Sequence, residues 1–176
     1  MTDPGRIALR AASVAEAHIG VKEQGGENNG EMVSRFLAAV HLPPGNAWCC
    51  AFVFWCLDQA SEELGLVVPG AYPITGWVPQ IESWAKRSGN WIPATNTKEK
   101  VLRGDLALFY FPAKMRTAHI GIVTAAPEAG EFHTVEGNTS GAVASGAVAR
   151  NGDGVYAKRR TVAALGGLGG FARLPF

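Results

Sequence analysis

The 176-residue sequence has almost no net charge: sixteen Lys and Arg stand against fifteen Asp and Glu, leaving +1. Such a balance offers no electrostatic case for nucleic acid as a partner. No apolar run approaches the length of a bilayer span, so no membrane-spanning segment is expected. The N-terminus carries Asp3, Arg6, Arg10 and Glu16, and no apolar h-region follows. This reads as a chain without a secretory signal peptide. The sequence also lacks C-x-x-C, H-E-x-x-H, G-x-x-x-x-G-K-[ST] and G-x-G-x-x-G, so the spacing arguments for zinc and for nucleotides fall away. Cysteine is scarce. The three cysteines, Cys49, Cys50 and Cys56, lie within eight positions. Two are adjacent and the third sits two helical turns from the first, so no pair is well placed for a bridge. Free thiols and a reducing compartment of synthesis are the expectation.

What is present describes a folded chain. It is 47% hydrophobic and 18% charged, neither disordered nor membranous, and residues 1–176 are read as a single domain. Asp3-Pro4 starts a first helix, along which Ile7, Ala11, Val14, Ala15 and His18 recur at helical spacing. Met32, Val33, Phe36, Leu37 and Val40 mark a second. A third runs from about Cys49 to Leu64, with Cys49, Val53, Cys56, Leu57, Ala60 and Leu64 on one face and Gly65 as its C-terminal cap. Trp77, Val78, Ile81, Trp84 and Ala85 indicate a fourth, ended by Gly89. Pro69 to Thr75 reads as loop. Beyond Trp91 the pattern changes to short apolar runs at 106–111, 120–124, 132–135, 155–158 and 171–174, separated by turn signals. Residues 139–149 and 163–170, rich in small residues, read as loops. Helices first and strands later give an α+β fold, with N-terminal helices packed on a C-terminal antiparallel β-sheet.

The chemistry concentrates at Trp48-Cys49-Cys50-Ala51-Phe52-Val53. Buried cysteines are commonly small core hydrophobes, but Cys49 opens a helix, where partial positive charge and free N–H groups favour a thiolate. Cys50 competes for the role. Neighbouring helix residues point about 100° apart, so only one can face a base, and Cys49 is in phase with the stripe meant to pack on the sheet. His119, in Ala118-His119-Ile120-Gly121-Ile122-Val123, is the candidate base, expected at a sheet edge facing a groove. His133 is its rival, while His18 and His41 read as structural or exposed. Glu136 and Asn138 share one strand parity, and either could accept the imidazole N–H. A zinc set assembled from Cys49, Cys50, His119 and His133 is the competing chemical reading, with tandem cysteines a poor chelating geometry. Neither cofactor nor metal is expected. Trp77, Trp84 and Trp91 recur every seven residues, which suits core packing or stacking on sugar faces.

Four segments together resemble the CHAP family, the cysteine, histidine-dependent amidohydrolases/peptidases of bacteria and phages. They are Trp48 to Val53, Arg103-Gly104-Asp105-Leu106-Ala107-Leu108-Phe109, Ala118 to Val123, and Val135-Glu136-Gly137-Asn138-Thr139. Ile19 to Glu23 and Gly170 to Leu174 extend the likeness across most of the chain. The resemblance implies a papain-like fold, Cys49 as nucleophile, His119 as base, Glu136 as orienting acid and Asn138 as a fourth polar member. It implies peptidoglycan as substrate, cut at the muramoyl–L-alanine amide or at a peptide bond of the stem or cross-bridge. A second Cys at position 50 departs from the pattern. A phage lysin, or an effector exported by a dedicated machine and paired with an immunity protein, would act at the wall without a signal peptide. A cysteine peptidase acting elsewhere and a non-catalytic wall-binding module are the alternatives.

Overall fold

The first half of the chain is helical and the second half builds one sheet, in a computed structural model that describes residues 2–68, 72–96, 100–141 and 151–174. Helices α1 (Asp3–Ala17), α2 (Glu31–Ala38), α3 (Cys49–Leu64) and α4 (Val78–Arg87) precede strands β1 (Trp91–Pro93), β2 (Leu106–Phe111), β3 (Arg116–Glu128), β4 (Glu131–Thr139), β5 (Gly154–Thr161) and β6 (Gly170–Ala172). The sheet runs β1-β6-β2-β3-β4-β5, with every neighbouring pair antiparallel. This is the α+β arrangement that the sequence pattern implies.

Helix α3 is the central element. Its N-terminal half is apolar almost all round, and Cys49 through Phe54 are all buried. A helix apolar on every side must be surrounded: α1 and α2 pack on it, and β3 and β4 lie against it. Burying a side chain such as Phe52 or Leu57 contributes about 1.5–3 kcal/mol, so these contacts fix the helix firmly. It stops at Gly65, whose φ of 62° supplies the left-handed cap. The expectation of a single buried stripe is therefore too narrow for the N-terminal half, where Cys49 through Phe54 are buried on every side; further along, Asp58, Glu62 and Glu63 keep an exposed face.

Side-chain alternation sorts the sheet into two faces. Leu106, Leu108, Ile120, Ile122 and Val135 join the helical core. Ala107, Phe109, Val123, Phe132 and Phe171 form a second cluster. Arg103-Gly104-Asp105 ties the sheet to α1. Gly104 has φ +93°, and a Cβ there would sit 2.7 Å from the Ala8 carbonyl carbon. Arg103 pairs with Glu16 at 2.6 Å, and Asp105 receives Arg173 at 2.9 and 2.7 Å.

Several boundaries differ from expectation. The strand read at 120–124 extends over 116–128, because β3 is paired on both sides, by β2 and by β4. His119 is accordingly not at a sheet edge; it lies in an interior strand and is fully buried. The expected 163–170 loop contains a 3-10 turn, Val162–Leu165, and the start of β6. Of the loop read at 139–149, Thr139 closes β4, and residues 142–150 lie outside the described residues, as do 69–71 of the loop read at 69–75. The tryptophans do not form one helical stripe. Trp77 caps α4 and is 48% exposed, Trp84 is buried, and Trp91 opens β1. Among the described residues, no helix is long and apolar enough to cross a membrane.

Candidate active site

Cys49 is the first residue of α3. Its N-cap, Trp48, makes no side-chain capping hydrogen bond, and Cys49 is buried to 4% exposure while lining a groove of about 340 Å³. The first N–H groups of a helix have no intrahelical acceptor, so the helix start offers donors and partial positive charge at this thiol. Cys50 and Cys56 are fully buried. Burial pushes both thiols well up from the ordinary value, and for Cys50 the neighbouring Cys49 adds to the effect. They are therefore poor thiolates. All three cysteines are free.

His119 and Glu136 face one another from β3 and β4, with His119 Nε2 2.9 Å from Glu136 Oε2 and both side chains fully buried. Gly121 makes this possible: a Cβ there would sit 2.5 Å from Glu136 Cγ. The carboxylate has two further partners. Thr134 Oγ1 donates to Oε1 at 2.7 Å. Arg160, from β5, donates Nε–H to Oε1 at 2.9 Å and Nη2–H to Oε2 at 2.6 Å. Desolvation raises the carboxyl pKa, but the bonds from Arg160 and His119 outweigh it and hold Glu136 down to about 2. For His119, burial lowers the pKa, while Cys49 and Glu136 together overcome it and raise the ring to about 9. The other ring nitrogen, Nδ1, is buried with no conventional hydrogen-bond partner. Cys49 nonetheless lies near enough to enter the ring's electrostatics. With Nε2 engaged by Glu136, Nδ1 is the nitrogen left for the thiol.

Asn138 does not join this group. Neither nitrogen of His119 is bonded to it. The shared parity of Glu136 and Asn138 fails because the register shifts between Glu136 and Thr139 and Asn138 itself takes φ 53°. Its Nδ2 instead donates to Asn28 Oδ1 at 2.9 Å, Gly152 O at 3.2 Å and Glu23 Oε1 at 3.4 Å. Glu23 Oε1 also accepts Trp48 Nε1–H at 2.8 Å. Asn138 thus braces the residue immediately before Cys49. Gly137 brings β4 up to the same place, since a Cβ there would meet Trp48 at 2.7 Å and Phe52 at 2.9 Å. His133 is exposed on β4. His18 is held by Val14 O at 2.8 Å and packs on Trp55. The described residues contain no cluster of three or more His, Cys, Asp or Glu arranged for a metal, so the zinc set does not assemble among them.

Arg160 and Thr134 do not stand out in the sequence as site residues. An arginine in a run of three basic residues, Lys158-Arg159-Arg160, reads as part of a solvated strand. Alternation carried the information, since Arg160 is buried between the outward Arg159 and Thr161.

A helix-opening thiol beside an imidazole that a buried carboxylate orients supplies the parts that a cysteine amidohydrolase requires. The sequence comparison agrees with that class: the CHAP domain model matches residues 42–138, more than half of the chain, and the protein belongs to the CHAP family. This is a peptidoglycan-related family of cysteine- and histidine-dependent amidases and peptidases. No curated protein and no solved structure matches the chain significantly.

Proposed function

We propose that the protein hydrolyses an amide bond of peptidoglycan, at the N-acetylmuramoyl–L-alanine junction or within the stem or cross-bridge peptide, through Cys49, His119 and Glu136. The observation that carries this reading is the fully buried His119–Glu136 pair, 2.9 Å apart, beside a thiol that both opens α3 and lines a groove. In the first step Cys49 Sγ attacks the carbonyl carbon, after its proton has passed to His119 Nδ1. The C–S bond forms and the carbonyl π electrons move to oxygen, where the Cys49 backbone N–H donates. The imidazolium then protonates the leaving amine as the C–N bond breaks, leaving a thioester. Water, deprotonated by His119, attacks the thioester; the C–S bond breaks and the thiol recovers its proton. Glu136 holds the ring in the required tautomer and stabilises the imidazolium. Asn138 acts at one remove, fixing Glu23 and Trp48 so that the helix start is correctly placed.

This chemistry suits amides and does nothing for a glycosidic bond, which calls for paired carboxylates. Purified peptidoglycan treated with the protein and analysed by mass spectrometry should gain free amines and carboxylates without new reducing sugar ends. Reducing ends without amines would overturn the reading. No wall product at all, with hydrolysis of an unrelated peptide, would instead favour a cysteine peptidase acting elsewhere.

A further inference from the structure

Among the described residues, the groove lined by Cys49 has one charged side chain, Arg116; the other described lining residues are apolar or neutral, including Asn46, Thr75 and Trp77. The Arg116 guanidinium carbon lies 3.9 Å from the centroid of the half-exposed Trp77 ring. Its one hydrogen bond among the described residues runs from Nη1 to the carbonyl oxygen of Thr117, at 3.2 Å. No carboxylate among the described residues pairs with it. The carboxylate of Glu82, which bonds the adjacent Thr117, is already taken, by the Thr117 hydroxyl at 2.7 Å and by Lys86 at 2.5 Å. By contrast, Arg103, Arg160 and Arg173 each hold an acid.

An arginine lying on an exposed tryptophan can simply cover apolar surface. Two features argue for more. A guanidinium stacked through its face keeps in-plane N–H groups for a planar anion, and the stack removes the rotamer freedom that bidentate binding would otherwise cost. The groove is also the one the nucleophile lines, so a group bound there is part of the substrate. We propose that Arg116, held by Trp77, binds a free carboxylate on the peptide flanking the scissile amide and so determines specificity for acidic stems. This rests on the function proposed above.

The test uses purified peptidoglycan and the same preparation after carbodiimide coupling to ammonia, which turns stem carboxylates into carboxamides. Amine release is followed for the wild type, Arg116→Gln, Arg116→Lys and Trp77→Ala. Amidation should lower wild-type kcat/KM by about 10- to 100-fold, mostly through KM, the loss expected when a charge-assisted bidentate contact disappears. Arg116→Gln should lose a similar factor on native wall and nothing further on amidated wall. Arg116→Lys and Trp77→Ala should fall between. Equal wild-type rates on both substrates, or the same loss for Arg116→Gln on both, would overturn the inference while leaving amide hydrolysis intact. Absence of amine release by the wild type from either substrate would remove the parent reading and this inference with it.

Discussion

Replacing Arg160 tests whether Glu136, the proposed orienting acid, is held as the geometry implies. Arg160→Met keeps the length and apolar stem of the side chain but leaves Glu136 without its bidentate partner. The guanidinium is 5% exposed and the carboxylate fully buried, so solvent cannot replace the lost contacts. Breaking one side of a buried pair costs about 3–5 kcal/mol. Glu136 retains His119 at 2.9 Å and Thr134 at 2.7 Å, which places the expected loss at the lower end, about 3 kcal/mol. Glu136→Gln in the same chain removes the stranded charge, so the double variant should be more stable than the sum of single losses by about 1–2 kcal/mol. Denaturant midpoints at pH 6, with unchanged m-values, measure all three variants. Hydrolysis by Arg160→Met should fall less than by His119→Ala, since Arg160 touches no reacting atom. A loss under about 1 kcal/mol, or strict additivity with Glu136→Gln, would refute the claim that Arg160 is the main electrostatic support of the acid.

His119→Ala should cost nearly as much activity as loss of the nucleophile, about 10³-fold or more, because residues that act as a unit fail together. His133→Ala, changing an exposed position, should stay near wild type, and the reverse result would exchange their roles. Stability should depend on pH through the buried pair. The His119 contribution is complete below its ordinary value of 6.5 and is lost as pH rises through about 9. The Glu136 contribution is complete above its ordinary value of 4.5 and is lost as pH falls through about 2. Thermal melts should therefore peak between these ordinary values, and a variant lacking both groups should lose that profile. Turnover should decline above pH 9 as the imidazolium proposed to protonate the leaving amine is titrated. Treatment with EDTA should leave amine release largely intact, and loss restored only by zinc would support a metal site instead.

Most of the helical half is legible from periodicity, because α3 and its Gly65 cap obey local rules that tertiary contacts reinforce. The strands are legible as apolar runs but not in length, since pairing on both sides extends β3 well past its apolar segment. Of the four proposed site residues, His119 and Glu136 lie 2.9 Å apart and Cys49 lies near the same ring; all three carry spacing and setting that a linear reading can weigh. Asn138 escapes because one left-handed residue and a register shift undo strand parity, and neither leaves a mark that parity can detect. Arg160 escapes because inward-pointing arginine looks like its neighbours until the acid opposite it is known. The glycines of the two motifs acquire reasons only in three dimensions: Gly121 clears space for Glu136, and Gly137 lets β4 reach Trp48.

Site-resolved alkylation distinguishes Cys49 as the sole working thiol from a role for its neighbours. Iodoacetamide is added at pH 7, and residual hydrolysis is plotted against modification mapped by peptide mass spectrometry. Cys50 and Cys56 are fully buried with thiol pKa values pushed up, whereas Cys49 lines the groove. One equivalent should enter at Cys49, with activity lost in proportion, while Cys50→Ser reacts and hydrolyses much as the wild type does. Hydrolysis that survives complete modification of Cys49, or inactivation that tracks Cys50, would show that Cys49 is not the nucleophile.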